Sequence, residues 1–110
     1  MKALLVTGTD TNVGKTVFTS SLIAYWLNYY ANRPLGLMKL MQTGEGDREL
    51  YDHLFGTHQS IEIVTPLKFT APLAPPIAAQ KEGKIVDLKT VWQAFCSLIQ
   101  NKDFVIVEAL

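Results

Sequence analysis

A glycine-rich segment near the N-terminus constrains the fold of this chain more than any other feature. It has the sequence GTDTNVGKT over Gly8–Thr16, follows a short apolar run at Ala3–Val6 and precedes an amphipathic run that begins at Val17. A buried strand, a loop with glycine at both ends and a helix that opens with Lys-Thr form the arrangement by which chains bind phosphate groups. Gly14 lets the backbone approach an anion, and the first N–H groups of the helix have no intrahelical partner. The segment therefore predicts a phosphate loop.

Two residues of the loop carry its chemistry. Lys15 is placed to reach the outer phosphates of a nucleotide, and Thr16 to offer its hydroxyl to Mg²⁺. The loop is a variant, because five residues separate Gly8 from Gly14, whereas the usual pattern has four. The alternative is a chance strand, turn and helix with a surface lysine. The order of the flanking elements favours phosphate binding.

The composition is that of a folded domain, since 48% of the 110 residues are apolar and 18% are charged. The formal net charge is zero, so no nucleic-acid or membrane partner is expected. No apolar run is long enough to span a bilayer. The single cysteine, Cys96, excludes an internal disulfide, and a cytoplasmic location is the expectation.

Apolar periodicity and turn residues predict the order of helices and strands. Helices are expected over residues 14–31, 48–55, 76–81 and 88–101, and strands over 3–6, 35–41 and 104–107, with a further short strand at 61–64. The helical residues expected to be buried are Val17, Leu22, Ile23, Trp26, Leu27, Tyr30, Leu50, Leu54, Phe55, Leu88, Val91, Trp92, Phe95 and Ile99. The pattern predicts one α/β domain over residues 1–110, with a parallel sheet and flanking helices. Three main strands are few for this architecture, so we expect an incomplete sheet and the first part of a longer protein.

Three charged residues stand where the carboxyl edge of the sheet is expected, and each has two interpretations. Lys39 is either solvated beyond its strand or projects over the edge where open α/β sheets bind ligands. Asp47 is either the N-cap of a helix or a metal ligand. Glu108, after the last strand, is either a solvated charge or a carboxylate near Mg²⁺.

The chain resembles the dethiobiotin synthetase family along its whole length. Its phosphate loop is similar to that family's signature nearly residue for residue. Four further segments resemble the family's lysine, aspartate, proline-rich and glutamate segments: Lys39 with Gln42-Thr43-Gly44, Gly46-Asp47, Phe69–Ala79 and Val105–Glu108. Together these segments are specific. Because family members are much longer, the resemblance is to their N-terminal part.

The resemblance implies an ATP-dependent carbon–nitrogen ligase that makes a cyclic urea from 7,8-diaminononanoate and CO₂. One amine takes up CO₂ as a carbamate, ATP phosphorylates the carbamate, and the second amine closes the ring. By this resemblance Lys15 and Lys39 are catalytic, Lys15 at the transferred phosphoryl group and Lys39 at the carbamate. The implied ATP-binding residues are Asn12, Val13, Gly14, Lys15, Thr16, Val17 and Asp47. The implied substrate residues are Thr11 and Thr43, and the implied Mg²⁺ ligands are Thr16, Asp47 and Glu108.

Four residues, at three places in the chain, depart from the pattern of the family. Asn12 stands where an acid is common, Leu40 where proline is common, and Ala109-Leu110 where glycines are common. The later part of family members carries most adenine and subunit contacts, so a homodimer is expected of the full-length protein. Two other interpretations stay open: a regulatory or assembly ATPase with a similar loop, and an inactive fragment of the ligase.

Overall fold

The computed structural model describes residues 2–8, 14–44 and 46–109. Its strands are β1 (Lys2–Val6), β2 (Leu35–Lys39), β3 (Met41–Thr43), β4 (Ile61–Val64), β5 (Leu67–Phe69) and β6 (Phe104–Glu108). Its helices are α1 (Lys15–Tyr29), α2 (Asp47–Phe55), α3 (Pro75–Lys81) and α4 (Leu88–Leu98), and a 3₁₀ turn at Ile99–Asn101 follows α4. The predicted α/β fold is confirmed.

Four strands form a parallel sheet in the order β1, β6, β2, β4. β6 lies between β1 and β2, so its last residue, Glu108, stands opposite Val6 on one side and Lys39 on the other. Three main strands were expected in the sheet, but the structure has four. The additional strand is β4, which pairs with β2 from Leu35 opposite Ile61 onward. This order brings the end of β6 to the middle of the carboxyl edge.

A second, two-stranded parallel sheet continues β2 and β4 beyond a break. β3 pairs with β5 in the same register, since Met41 lies opposite Leu67 as Leu35 lies opposite Ile61. The predicted strand over 35–41 is therefore interrupted at Leu40, whose N–H donates to the carbonyl of Glu108 at 3.1 Å. Pro66 stands in the facing break, where it has no N–H to add to the ladder.

Helices cover both faces of the main sheet. On one face, α1 and α2 bury a core that contains Val6, Ile23, Leu35, Leu37, Tyr51, Phe55, Ile61 and Ile106. On the other face, Leu98 of α4 packs with Met38, Val105 and Val107. Gly36 permits this contact, because a Cβ there would lie 2.9 Å from the side chain of Leu98. α3 packs on the β3–β5 sheet through Ala78 and Ala79.

Several residues expected in the core are exposed instead. The exposed fraction is between 40% and 71% for Val17, Tyr30, Leu50, Leu54, Leu88 and Trp92. Periodicity gives the spacing of the residues in a buried stripe. It does not give the rotation of the helix about its axis, which decides the side that faces the sheet. The stripe that α2 buries contains Tyr51 and Phe55. β1 was also expected to be buried, yet as an edge strand it buries only Val6.

Candidate active site

The alternation of side chains along the strands brings two charges to the same face of the sheet. In β2, Lys39 follows Leu35 and Leu37 at alternate positions, and both leucines belong to the core under α1 and α2. In β6, Glu108 follows Ile106 of the same core in the same way. Lys39 and Glu108 are also direct partners in the strand register. Both therefore lie at the carboxyl edge beneath the helices.

Lys39 is nearly buried and is paired with two carboxylates. Its Nζ lies 3.0 Å from Oδ2 of Asp47 and 3.4 Å from Oε1 of Glu108, and 5% of the residue is exposed. Thr16 Oγ1 donates to Oδ1 of Asp47 at 3.0 Å. The interpretation of Lys39 as a solvated lysine is wrong. The structure brings together four of the predicted site residues: Thr16, Lys39, Asp47 and Glu108.

The neighbours of Asp47 favour its ionised form. Burial alone would raise the pKa of Asp47, but the ammonium of Lys39 and the hydroxyl of Thr16 outweigh that effect. The pKa of Asp47 therefore lies below its ordinary value of 3.8. Near neutral pH, the site holds a carboxylate at this position.

The N-terminus of α2 is organised by residues other than Asp47. The N–H of Gly46 donates to Oε2 of Glu49 at 2.9 Å, and the N–H of Arg48 donates to Oε1 of Gln42 at 2.7 Å. Gln42 is 4% exposed, and its Nε2 donates to Oε2 of Glu49 at 2.8 Å. The N-cap interpretation of Asp47 is therefore wrong, since its carboxylate turns to Lys39 instead. Glu49 stands three residues after the N-cap Gly46, which is the spacing of a capping box and was the available signal. No local motif indicates the contribution of Gln42.

Tyr51 is the residue of the site that sequence reasoning missed most clearly. Its side chain is fully buried, and its hydroxyl donates to Oε2 of Glu108. Burial raises the pKa of Tyr51 well above its ordinary value of 10.0, and the carboxylate of Glu108 raises it further. The hydroxyl therefore remains a donor. The available signal was the spacing, because residues 47 and 51 are one helical turn apart.

The start of α1 borders a cleft beside the first strand. Gly14 has φ of +91°, a left-handed conformation that favours glycine, and Lys15 follows it with 7% exposed. Both line a cleft of about 440 Å³, together with Leu4, Leu5, Val6, Thr7 and Phe18. Val17, the next residue of α1, has an exposed side chain. The predicted Thr11, Asn12 and Val13 lie outside the described residues.

The end of β3 carries Thr43 beside the proline-rich segment. Thr43 is half-buried and lies opposite Phe69. Gly44 follows with φ of +69°, and a Cβ at this position would lie 3.1 Å from Cβ of Pro72. Glycine thus allows the turn after Thr43 to pack directly against the proline-rich segment.

The cluster around Lys39 has the donor chemistry of a hard-cation site. Within the described ranges, Lys39 is the one cation within 4.0 Å of the carboxylates of Asp47 and Glu108, which leaves an excess of negative charge. Mg²⁺ in nucleotide sites takes one or two carboxylates with phosphate and water oxygens. Among the residues described, no group of three or more His, Cys, Asp or Glu could hold a metal. The carboxylates of Asp47 and Glu108 and the hydroxyl of Thr16 are oxygen donors of the kind that such a nucleotide-bound cation would take.

A glycine loop between β1 and α1, with charged side chains at the carboxyl edge of a parallel sheet, defines a nucleoside-triphosphate-binding domain of the phosphate-loop class. The sequence matches the AAA domain family over residues 2–110, and the chain belongs to that family. In the part of the chain that the structure covers, no helix combines the length and the apolar character needed to cross a membrane.

The chain is similar to curated proteins named ATP-dependent dethiobiotin synthetase BioD. It is 61% identical to the protein of Gloeothece citriformis over 110 residues, which are 100% of this chain and 49% of that relative. Identity is 59% to the Synechocystis protein, over 99% of this chain and 46% of the relative. It is 37% to the Bacillus subtilis strain 168 protein, over 98% of this chain and 48% of the relative. The predicted resemblance is confirmed, and the chain spans about half the length of these relatives.

Proposed function

We propose that this chain is the phosphate-binding part of an ATP-dependent dethiobiotin synthetase that uses 7,8-diaminononanoate and CO₂. The observation that carries the proposal is the buried ammonium of Lys39 between Asp47 and Glu108, where Asp47 also accepts a hydrogen bond from Thr16 at the start of α1. The names of relatives up to 61% identical support the same assignment. We also infer that residues 1–110 are a single α/β unit, the N-terminal portion of a longer domain.

The reaction would proceed in three steps that balance. One amine of 7,8-diaminononanoate attacks CO₂ and loses a proton, which gives a carbamate. A carbamate oxygen then attacks the γ-phosphorus of ATP, so that ADP leaves and a carbamic–phosphoric anhydride forms. The second amine attacks the carbamate carbon and loses a proton, the C–O bond to phosphate breaks so that phosphate leaves, and the cyclic urea closes.

Lys39 is the residue that we assign to the carbamate. Its ammonium is fixed by Asp47 at 3.0 Å and by Glu108 at 3.4 Å, so little reorganisation is needed as charge develops. A preorganised cation in a site with little water stabilises a developing anion more than a mobile surface lysine does. We therefore expect Lys39 to contribute mainly to turnover.

The nucleotide would be bound at the start of α1. Lys15 is assigned to the transferred phosphoryl group, and Asn12, Val13, Gly14, Thr16 and Val17 to the phosphates of ATP. The carboxylate of Asp47 lies 3.0 Å from the Thr16 hydroxyl, which supports assigning both to the nucleotide and its metal. Thr16, Asp47 and Glu108 would hold Mg²⁺, which when bound neutralises phosphate charge.

The remaining assignments concern the substrate and the assembly. Thr11 and Thr43 would contact 7,8-diaminononanoate, and the packing of Gly44 on Pro72 supports a substrate wall beside Thr43. The expectations of a homodimer and of a cytoplasmic location remain part of the proposal. Sedimentation of the complete protein and fractionation of cells that produce it would test them.

The experiment that tests the function uses a chimera in which residues 1–110 replace the matching part of the Gloeothece citriformis relative. The chimera is given 7,8-diaminononanoate, ¹³C-labelled bicarbonate and Mg-ATP, and the product is followed by mass spectrometry. We expect labelled dethiobiotin and one ADP per ring. ATP hydrolysis without a labelled ring would contradict the ligase and favour a regulatory ATPase.

Two lysine variants of the same chimera, Lys15→Ala and Lys89→Ala, test the assignment of the phosphate loop. Lys15→Ala should abolish nucleotide binding in a calorimetric titration, because its ammonium would meet the phosphates. Lys89→Ala removes an exposed lysine of α4 and serves as the matched control. Equal nucleotide affinity in the two variants would contradict the assignment of Lys15.

A further inference from the structure

Helix α2 contributes two residues to the charged cluster, one turn apart. Asp47 contacts Lys39 at 3.0 Å, and the hydroxyl of Tyr51 donates to Oε2 of Glu108. Lys39 in turn contacts Oε1 of Glu108. The contacts form a closed ring from α2 to β2, to β6 and back to α2. The two oxygens of Glu108 therefore have different partners.

Packing alone does not require the hydroxyl of Tyr51. Phe55 lies one turn further along the same helix, is also buried, and belongs to the same core cluster. A phenylalanine at position 51 would fill the same space without a polar group. What the hydroxyl adds is a hydrogen bond to a carboxylate that is itself fully buried. Hydrogen bonds to charged groups contribute more than those between neutral groups.

We infer that Tyr51 is a positioning residue of this site, which fixes Oε2 of Glu108 and thereby directs Oε1 toward Lys39 and the bound cation. A carboxylate whose two oxygens are free to exchange presents no defined ligand direction. With one oxygen held from α2, the other faces the interior of the cluster. The inference rests on the cation site in the proposed function, but not on the ring-closing chemistry.

The test compares Tyr51→Phe with the unchanged chimera. A non-hydrolysable ATP analogue is bound, and Mn²⁺ is titrated as the probe while free Mn²⁺ is followed by electron paramagnetic resonance. Loss of a group that orients a metal ligand typically weakens metal binding by about 10-fold to 100-fold. We expect the half-saturating Mn²⁺ concentration to rise by that factor, while analogue affinity without metal stays close to the unchanged value.

The matched control is Tyr25→Phe, which removes the same hydroxyl from an exposed tyrosine of α1. It should leave the Mn²⁺ titration unchanged. If Tyr51→Phe also leaves the titration unchanged, Tyr51 is a core residue only and the inference is overturned. A structural role would lower the melting temperature without moving the metal titration.

A second measurement needs no variant. The ¹³C resonance of the Glu108 carboxyl should move when Mg²⁺ and the analogue are added to the unchanged chimera, and an unmoved resonance would overturn the inference. If metal binding is sensitive to Tyr51 but no dethiobiotin forms, the proposed reaction fails and the inference about Tyr51 stands.

Discussion

Strands β1 and β6 have similar apolar sequences and the same length of five residues, but they differ in burial. β6 buries every residue from Val105 to Glu108, whereas β1 exposes all of its residues except Val6. The difference follows from position, because β6 lies between two strands and β1 at the edge. The charge at the end of β6 is therefore enclosed. In β1, a similarly apolar sequence leaves hydrophobic side chains in contact with water.

The two regions also differ in what surrounds them. Around the end of β6, Lys39 and Tyr51 satisfy both oxygens of a fully buried carboxylate. Beside β1, Leu5 is 60% exposed and Trp92 is 64% exposed, and both line an apolar cleft of about 410 Å³. The region around the end of β6 is thus defined by specific polar contacts, and the region beside β1 by exposed apolar side chains.

The largest effect is expected from removing the central cation of the enclosed region. Lys39→Met should reduce turnover of the chimera by about 100-fold to 1,000-fold, as losses of preorganised charge stabilisation do. It should also lower the free energy of unfolding by roughly 3 kcal/mol, because a buried carboxylate loses its partner. Steady-state kinetics and urea melts measure the two effects.

Lys68→Met is the matched control for Lys39→Met. Lys68 pairs with Glu49 at 2.7 Å, but 46% of its side chain is exposed. Exposed pairs contribute less than about 1 kcal/mol, so both turnover and stability should change little. If the two lysine variants are equally active, Lys39 has no special role and the contrast between the regions does not extend to catalysis.

The next effect concerns the carboxylate that faces both Lys39 and Thr16. Asp47→Asn should raise the Mg²⁺ concentration for half-maximal activity by more than about tenfold, since a neutral amide is a weaker ligand. Asp52→Asn changes an exposed aspartate of the same helix, whose partner is Arg48. A Mg²⁺ requirement that is equal in the two variants would make Asp47 a structural partner of Lys39 only.

A smaller effect is expected at the uncovered region. Exposed apolar patches drive association, so the isolated 110-residue chain should self-associate at high concentration. Leu5→Lys should reduce that association in sedimentation experiments. Leu54→Lys changes an apolar residue of α2 that is 44% exposed and lies outside the cleft, and serves as the control. If both variants associate equally, the surface through which the chains associate lies outside the apolar cleft beside β1.

The smallest effect is the response of stability to acid. The ammonium of Lys68, followed by the N–H of Gly46, lowers the pKa of Glu49 from 4.5 to about 2. Because the folded-state pKa is depressed, the stabilisation is complete above pH 4.5 and is lost as the pH falls through about 2. In urea melts across that window, Glu49→Gln should flatten the dependence on pH. Lys68→Met should flatten it less, because Gly46 and Gln42 still donate hydrogen bonds to the carboxylate. If the free energy of unfolding depends on pH equally in both variants and in the unchanged chain, this ion pair does not govern the response to acid.

The sequence by itself determined the α/β class, the four helices, the four strands of the main sheet and the carboxyl edge at which Lys39 and Glu108 stand, but not the separate strands β3 and β5. It could do so because these features depend on local information. The glycine loop before Lys15 has its own backbone requirements, and apolar runs end where strands end. Parallel strands share one carboxyl edge, so the ends of β2 and β6 were expected at the same edge, although not as direct neighbours.

Only the tertiary structure decided which face of α2 lies on the sheet, and therefore that Tyr51 meets Glu108 while Leu50 and Leu54 are exposed. It also decided that β1 is an edge and that β4 joins the sheet. Periodicity gives the spacing of side chains, but the rotation of a helix and the neighbours of a strand are set by contacts with distant segments. The Lys39–Glu108 pair joins residues 69 positions apart, and no local pattern contains that contact.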